Sequence, residues 1–149
     1  MIWAGCNANK NAAVSTSVKD EYSQSRIATK PVPEWSEMLR HDTGWIGADG
    51  IYCTSLNGVD KAGQMNSASE TMFWFSDCIV GNIDTKADTL SGAWKMMNNS
   101  VAYMKGATPD ANKIKFYYRR DKDGNPLSMF EPNTTKSQPG YYYWLGDGF

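Results

Sequence analysis

Short apolar and aromatic stretches separated by polar turns characterise the chain beyond its first thirty residues. Residues 71–76 (TMFWFS) are apolar at nearly every position, which predicts an inner strand that is covered on both faces. Residues 114–118 (IKFYY) alternate, which predicts a half-exposed outer strand with Ile114, Phe116 and Tyr118 inward. The pattern predicts four antiparallel strands, ordered from inner to outer, at residues 51–56, 71–76, 100–104 and 114–118.

The segments between these strands carry turn signals or polar residues. Residues 34–39 predict one helical turn. The Gly- and Asp-rich residues 40–50 and the polar residues 84–95 both predict loops, and residues 121–126 predict a tight reversal. Residues 79–83 either continue the second strand or form a bulged extension of it.

A short sequence motif occurs twice in the chain. Residues 73–79 (FWFSDCI) return as residues 143–149 (YWLGDGF), with aromatic, Trp, apolar, small and Asp positions in the same order. Likewise, residues 127–130 and 141–145 are expected to repeat the first and second strands. Repeated four-stranded sheets are typical of β-propeller blades. The sequence therefore predicts an all-β fragment of a β-propeller: an antiparallel four-stranded blade at about 49–120 and the start of a second blade at about 123.

The N-terminal residues predict a separate region. Trp3-Ala4-Gly5-Cys6 resembles the end of a bacterial lipoprotein signal, in which the Cys becomes lipidated. The polar residues 7–36 have the composition of a flexible tether, and residues 37–149 would form the propeller domain. An unlipidated N-terminus is the alternative. With lipidation, the protein would lie in the bacterial cell envelope, held at the membrane only through Cys6; otherwise it would be secreted.

Composition narrows the function classes. The 149 residues include six Trp and eight Tyr, which favours strands and surfaces for sugars or other flat ligands. The net charge of −1 and a pI of about 5.8 lack the excess of positive charge that is typical of nucleic-acid-binding proteins. No cofactor motif is present and the Cys spacing of a metal site is absent, so neither a cofactor nor a metal is expected. Cys53 and Cys78 could form one disulfide, although two buried free thiols are favoured.

Strand direction places several polar residues at one edge of the predicted sheet. Asp49 precedes the first strand, Asp77 ends the second, and Asn98 and Asn99 precede the third. Carboxylates can act as acid, base or nucleophile on a glycosidic bond, and an aromatic ring can pack on a sugar. The candidate catalytic residues are Asp49, Asp77 and the equivalent Asp147; the candidate substrate-binding residues are Trp45, His41, Asn98 and Asn99. The alternative for the Asp residues is a turn-stabilising role.

Taken together, residues 40–52 (RHDTGWIGADGIY), 72–77 (MFWFSD), 98–103 (NNSVAY) and 143–149 (YWLGDGF) resemble domain-of-unknown-function family 5005. The resemblance covers about residues 38–149 and implies a secreted or lipid-anchored bacterial protein. More distantly, the chain is similar to five-bladed propeller glycosidases of the arabinanase and invertase type. That similarity implies five blades and a base or nucleophile role for Asp49.

The resulting functional prediction is a glycan-directed envelope lipoprotein that acts as a glycoside hydrolase on a polysaccharide or oligosaccharide. The alternative is a non-catalytic carbohydrate-binding or surface scaffold protein. In both cases the expected partner is a carbohydrate, and nucleic acid is not expected.

Overall fold

The computed structural model describes residues 29–59, 61 and 63–146. The chain divides into two units, Met1–Pro31 and Val32–Phe149. Only residues 29–31 of the first unit are described, so the account below concerns the second unit. The predicted lipidation site Cys6, most of the predicted tether and the predicted catalytic residue Asp147 lie outside the described residues.

One short helix and nine strands make up the described part of the second unit. Helix α1 is Pro33–Met38, in agreement with the predicted helical turn. The strands are β1 Thr43–Ala48, β2 Tyr52–Ser55, β3 Glu70–Phe75, β4 Cys78–Asp84, β5 Thr89–Met97, β6 Ser100–Lys105, β7 Ile114–Tyr117, β8 Arg119–Arg120 and β9 Pro126–Leu127.

The strands form antiparallel sheets, so the all-β prediction is confirmed. The upper sheet has the order β1-β4-β5 and the lower sheet has the order β2-β3-β6-β7. Strands β8 and β9 form a two-stranded hairpin around residues 121–125, where a tight reversal is predicted. The sheets are open rather than closed into a ring.

The two larger sheets are halves of one creased meander. Strands β1 and β2, β3 and β4, and β5 and β6 follow each other with only two or three residues between them, at 49–51, 76–77 and 98–99. We call these three short segments the break line. Backbone bonds join its first two segments, since the Asp49 amide donates to the Asp77 carbonyl (2.9 Å) and the Ser76 amide donates to the Asp49 carbonyl (3.2 Å).

The crease lets both sheets face one hydrophobic core. The indole of Trp45 in β1 stacks on Phe116 in β7, with ring centroids 4.2 Å apart, and also contacts Phe75 in β3. The Trp45 indole N–H donates to the hydroxyl of Ser100 at 3.0 Å, so its polar atom is satisfied inside the core. Met38 of α1 also joins this core.

The predicted inner and outer strands agree with the structure. Strand β7 pairs only with β6; Ile114 is buried, whereas Lys115 and Tyr117 are exposed. Strand β3 lies between β2 and β6, and its residues 73–75 are buried on both faces. Trp74, on the face away from the core, donates its indole N–H to the carbonyl of Gly146.

Four predicted elements are wrong. Residues 127–130 form no strand beyond Leu127, where β9 ends. Residues 43–48 form strand β1 despite two glycines, because pairing with β4 organises them around a bulge between Trp45 and Gly47. Residues 89–97 form edge strand β5, which pairs with β4 and is largely exposed. Residues 141–145 form no strand and are held by bonds to side chains instead. No helix among the described residues is long and apolar enough to span a bilayer.

Candidate functional site

The structure brings Asp49 and Asp77 together, on the break line in the middle of the creased meander. Their backbones are joined by the 2.9 Å bond from the Asp49 amide to the Asp77 carbonyl. The Asp49 residue is exposed, and Asp77 is half-buried. The indole N–H of Trp144 donates to Asp77 Oδ1 at 3.3 Å. The pair is therefore a solvent-accessible acidic site with an exposed tryptophan beside it.

Close packing fixes the backbone at this acidic pair. Gly50 has a φ of +53°, a conformation that favours glycine. A Cβ atom at Gly50 would lie 2.5 Å from Ser76 Oγ and 2.8 Å from Ser76 Cβ. The hydroxyl of Ser76 also donates to the carbonyl of Leu145 at 3.0 Å. The local geometry therefore depends on Gly50.

Asn99 also lies on the break line, but its side chain is fully occupied by the protein. It is 0% exposed, and its amide nitrogen donates to the carbonyls of Phe130 and Tyr143, both at 3.0 Å. Its carbonyl oxygen accepts from the Phe130 amide at 2.8 Å. The neighbouring Asn98 is half-buried, and its backbone amide donates to Ser128 Oγ at 3.0 Å. Asn99 thus fastens the C-terminal segment to the sheet.

Trp45 and His41 lie in and beside the core. Trp45 is 4% exposed, so ligand stacking on its ring would require the core to open. The half-buried His41 has Nε2 3.2 Å from the carbonyl oxygen of Met38, and its ring packs edge-on against Phe116 with centroids 4.9 Å apart. These two of the four predicted substrate-binding residues make their described contacts with the protein itself.

The two described cysteines are free thiols in different environments. Cys53 on β2 is exposed, which differs from the prediction that both thiols are buried. Cys78 on β4 is buried, and this burial raises the pKa of its thiol to about 11; the nearby carboxylates of Asp77 and Asp49 act in the same direction. Cys78 is therefore a protonated core residue at neutral pH.

A cleft of about 470 Å³ lies between strands β4 and β5 and the β8–β9 hairpin. We call it the sheet–hairpin cleft. Its volume is within the range of small-molecule sites in proteins. Its lining combines aromatic, amide and charged side chains with small residues of the strands: Thr43, Gly44, Val80, Gly81, Asn82, Ala93, Trp94, Lys95, Tyr118, Arg120, Asp121, Asn125 and Pro126.

Trp94 is the largest apolar side chain in the cleft, and it is 50% exposed. Its position depends on Gly81 in the neighbouring strand, because a Cβ atom at Gly81 would lie 2.7 Å from the Cβ of Trp94. On the same cleft wall, the Thr43 hydroxyl donates to Asn82 Oδ1 at 2.8 Å. The cleft thus places an accessible indole near groups that can form hydrogen bonds.

The hairpin side of the cleft is positioned by a compact set of bonds. Arg120 donates from Nη1 to the carbonyl of Gly124 at 2.7 Å and from Nη2 to the hydroxyl of Tyr118 at 2.8 Å. The Asp121 carboxylate accepts bonds from the Asn125 side chain and from the amides of Asp123 and Asn125. These bonds, chiefly those from Asn125, hold the pKa of Asp121 below its ordinary value. Arg120 is therefore held at the cleft by neutral oxygen atoms.

The sequence pattern does not reveal this cleft, because the polar residues 84–95 predict a loop. Leu90, Trp94 and Met96 lie at alternate positions of β5, but Gly92 interrupts the alternation, so the pattern of a strand is weak. The signal that could have identified it is the large aromatic residue at 94 in an otherwise polar segment. The residues next to Trp94 in the sequence are small or charged, so they offer little apolar surface to bury its indole.

Among the described residues, no group of three or more His, Cys, Asp or Glu side chains is placed to hold a metal ion. The chain matches no protein-family model, and no similar curated protein or solved structure was found.

Proposed function

We propose that the protein binds carbohydrate through the sheet–hairpin cleft. The observation that carries the proposal is the half-exposed indole of Trp94 in a cleft that also contains hydroxyl, amide and cationic side chains. An aromatic face packs against the C–H groups of a pyranose ring, while polar groups at the rim bind its hydroxyls. A carbohydrate uses both kinds of contact at once, which a purely apolar ligand does not.

The test is glycan binding by the full chain and by two tryptophan variants. Trp94→Ala removes the indole in the cleft, and Trp144→Ala removes an indole that is 68% exposed at the acidic pair. We expect a glycan-array ligand, quantified by calorimetry, to bind at least about tenfold more weakly to Trp94→Ala, since burying an aromatic ring contributes one to a few kcal/mol. Trp144→Ala should bind like the parent protein. Equal binding by Trp94→Ala and the parent would overturn the assignment to this cleft.

Glycoside hydrolysis is a second candidate function, favoured by the adjacency of Asp49 and Asp77. In this scheme Asp49 is the base or nucleophile, and Asp77 or Asp147 positions or tunes it. The exposed Trp144 would then line the sugar site. Asp49→Asn, which retains the shape of the side chain, should abolish release of reducing sugar from any substrate that the parent chain cleaves. Undiminished cleavage would remove Asp49 from the mechanism.

We also propose a cellular setting and a larger architecture for these functions. The creased meander would be the first blade of a propeller related to family 5005, carried by a bacterial envelope protein with a lipid on Cys6. The open edges and four-stranded antiparallel order of the lower sheet support the blade, and the small-residue pair before Cys6 supports the anchor. When the gene is expressed in bacteria, an alkyne fatty acid should label the protein and should not label Cys6→Ser. Equal labelling of both would exclude the anchor.

A further inference from the structure

The sheet–hairpin cleft contains an imbalance of charge that the proposed carbohydrate function does not require. Lys95 and Arg120 both line it, and Asp121 is the one carboxylate among its lining residues. Salt bridges in the described part of the chain join Lys113 to Asp110 and Arg119 to Glu131, and neither involves a cleft cation.

The single carboxylate is engaged in the hairpin turn. Asp121 Oδ1 accepts from the Asp123 and Asn125 amides at 2.9 and 2.8 Å, and Oδ2 accepts from Asn125 Nδ2 at 2.9 Å. A carboxylate with both oxygen atoms bound in its own turn is poorly placed to bind the cleft cations directly. Lys95 and Asp121 attract each other electrostatically, but no described salt bridge joins them, so both cleft cations can form direct bonds to a ligand.

Arg120 is also oriented before any ligand arrives. The Gly124 carbonyl and the Tyr118 hydroxyl fix Nη1 and Nη2, and the guanidinium carbon lies 5.0 Å from the centroid of the Tyr118 ring. Each of these bonds uses one N–H group and leaves the others of the guanidinium for an acceptor. An arginine held in this way loses little entropy on binding and pairs well with a planar anion.

From these contacts we infer that the cleft selects an anionic saccharide, one that carries a carboxylate or a sulfate ester. The inference rests on the proposed carbohydrate function and names its substrate class. Trp94 packs on the sugar ring, Lys95 and Arg120 bind the anionic substituent, and the Thr43–Asn82 pair contacts hydroxyl groups. A neutral sugar would contact the same groups but would form no charge-assisted bond with Lys95 or Arg120.

The experiment compares oligogalacturonate with its fully methyl-esterified counterpart, which has the same sugar rings and no charge. The acidic oligomer should bind at least about tenfold more tightly at low salt, because a charge-assisted bond contributes more than a neutral one. Its affinity should fall as the salt concentration rises. A sulfated galactan oligomer, measured beside its unsulfated form, distinguishes a sulfate ester from a carboxylate as the preferred group, and tighter binding of either anionic form supports the inference.

Two matched variants locate the effect. Lys95→Gln removes a cleft cation, whereas Lys122→Gln removes a hairpin cation that is not part of the lining. We expect about a tenfold loss of acidic-oligomer affinity for Lys95→Gln and little change for Lys122→Gln, with both variants folded by circular dichroism. Equal losses in the two variants, or equal affinity for charged and uncharged oligomers, would overturn the charge selection while leaving carbohydrate binding intact. Binding of no oligomer of either kind, on a glycan array included, would instead overturn the proposed function.

Discussion

Gly50 lies so close to Ser76 that a Cβ atom on the glycine would stand 2.5 Å from the serine hydroxyl oxygen. This contact joins the first two segments of the break line, at the point where Asp49 and Asp77 meet. It therefore links the stability of the crease to the geometry of the acidic pair.

Gly50→Ala should lower the free energy of unfolding by about 3 kcal/mol, since it adds a steric clash to the cost of a left-handed backbone. Gly58→Ala is the matched control, because Gly58 also has a positive φ but nothing within 4 Å of its Cβ position. That control should lose only about 1 kcal/mol. Urea denaturation of the two variants measures the difference, and equal losses would show that the Ser76 contact contributes nothing.

Asn99→Ala should destabilise the protein by about 2–4 kcal/mol, because it removes the hydrogen bonds that a fully buried side chain makes to the backbone of Phe130 and Tyr143. The adjacent Asn98→Ala should cost much less, since the described bond of Asn98 comes from its backbone amide. Thermal unfolding gives the magnitudes. Limited proteolysis adds a local readout: residues 128–146 should be cleaved faster in Asn99→Ala than in Asn98→Ala, and similar rates would refute the fastening role.

Cys78 should resist alkylation at pH 8–9, where exposed Cys53 reacts readily, because burial raises the thiol pKa of Cys78 to about 11. Labelling with iodoacetamide in a Cys6→Ser background, followed by peptide mass spectrometry, measures both sites. Rapid modification of Cys78 in the folded protein would contradict the buried position. Addition of urea should equalise the two rates.

The same pKa gives stability a defined pH dependence. A thiol whose pKa is higher in the folded than in the unfolded state stabilises the fold below the unfolded value of 9.0. Between pH 9.0 and about 11 the unfolded state loses this proton while the folded state retains it, so stability falls as the pH rises. Cys78→Ala should show a weaker decline over that range than Cys53→Ala. Parallel profiles would exclude Cys78 as the source.

Gly81→Ala should destabilise the upper sheet by about 1–3 kcal/mol, because its methyl group would overlap the side chain and backbone of Trp94. It should also weaken glycan binding by displacing that indole. Gly47→Ala provides the control in the same sheet, since nothing lies within 4 Å of its Cβ position. Calorimetric affinities and melting temperatures of the two variants test both effects; an unaffected Gly81→Ala would show that the sheet absorbs the methyl group.

The parts of the fold that could be predicted are those whose signal is local. Strands β3 and β7 carry dense or alternating aromatic patterns, and Asp121 and Gly124 mark the hairpin turn. Strand β1 could not be found in the same way, because its two glycines resemble a loop and its order comes from pairing with β4. The exposed edge strand β5 carries too few buried residues to show a periodic pattern.

The candidate site shows a similar division. The proximity of Asp49 and Asp77 could be predicted from strand direction alone. Asp49 precedes β2 and Asp77 follows β3, and the start of one strand lies beside the end of its antiparallel neighbour. The environment of Trp45 depended on Phe116, far along the chain, so its burial could not be read from the neighbouring glycines. Conversely, the cleft beside Trp94 exists because the β8–β9 hairpin, distant in sequence, packs beside β5. Residues distant in sequence therefore determine whether a tryptophan side chain is buried in the core or remains accessible to a ligand.

The creased meander has a consequence for the order of folding. Counted across the break line, the strands form four successive segments, at 43–55, 70–84, 89–105 and 114–117, and each segment pairs with the next one along the chain. The core can therefore assemble through short loop closures, which favour rapid folding. The ties from Trp74, Ser76 and Asn99 to residues 143–146 join much more distant positions and close larger loops. We therefore expect the C-terminal segment to dock after the meander has formed, as the final step of a largely local reaction.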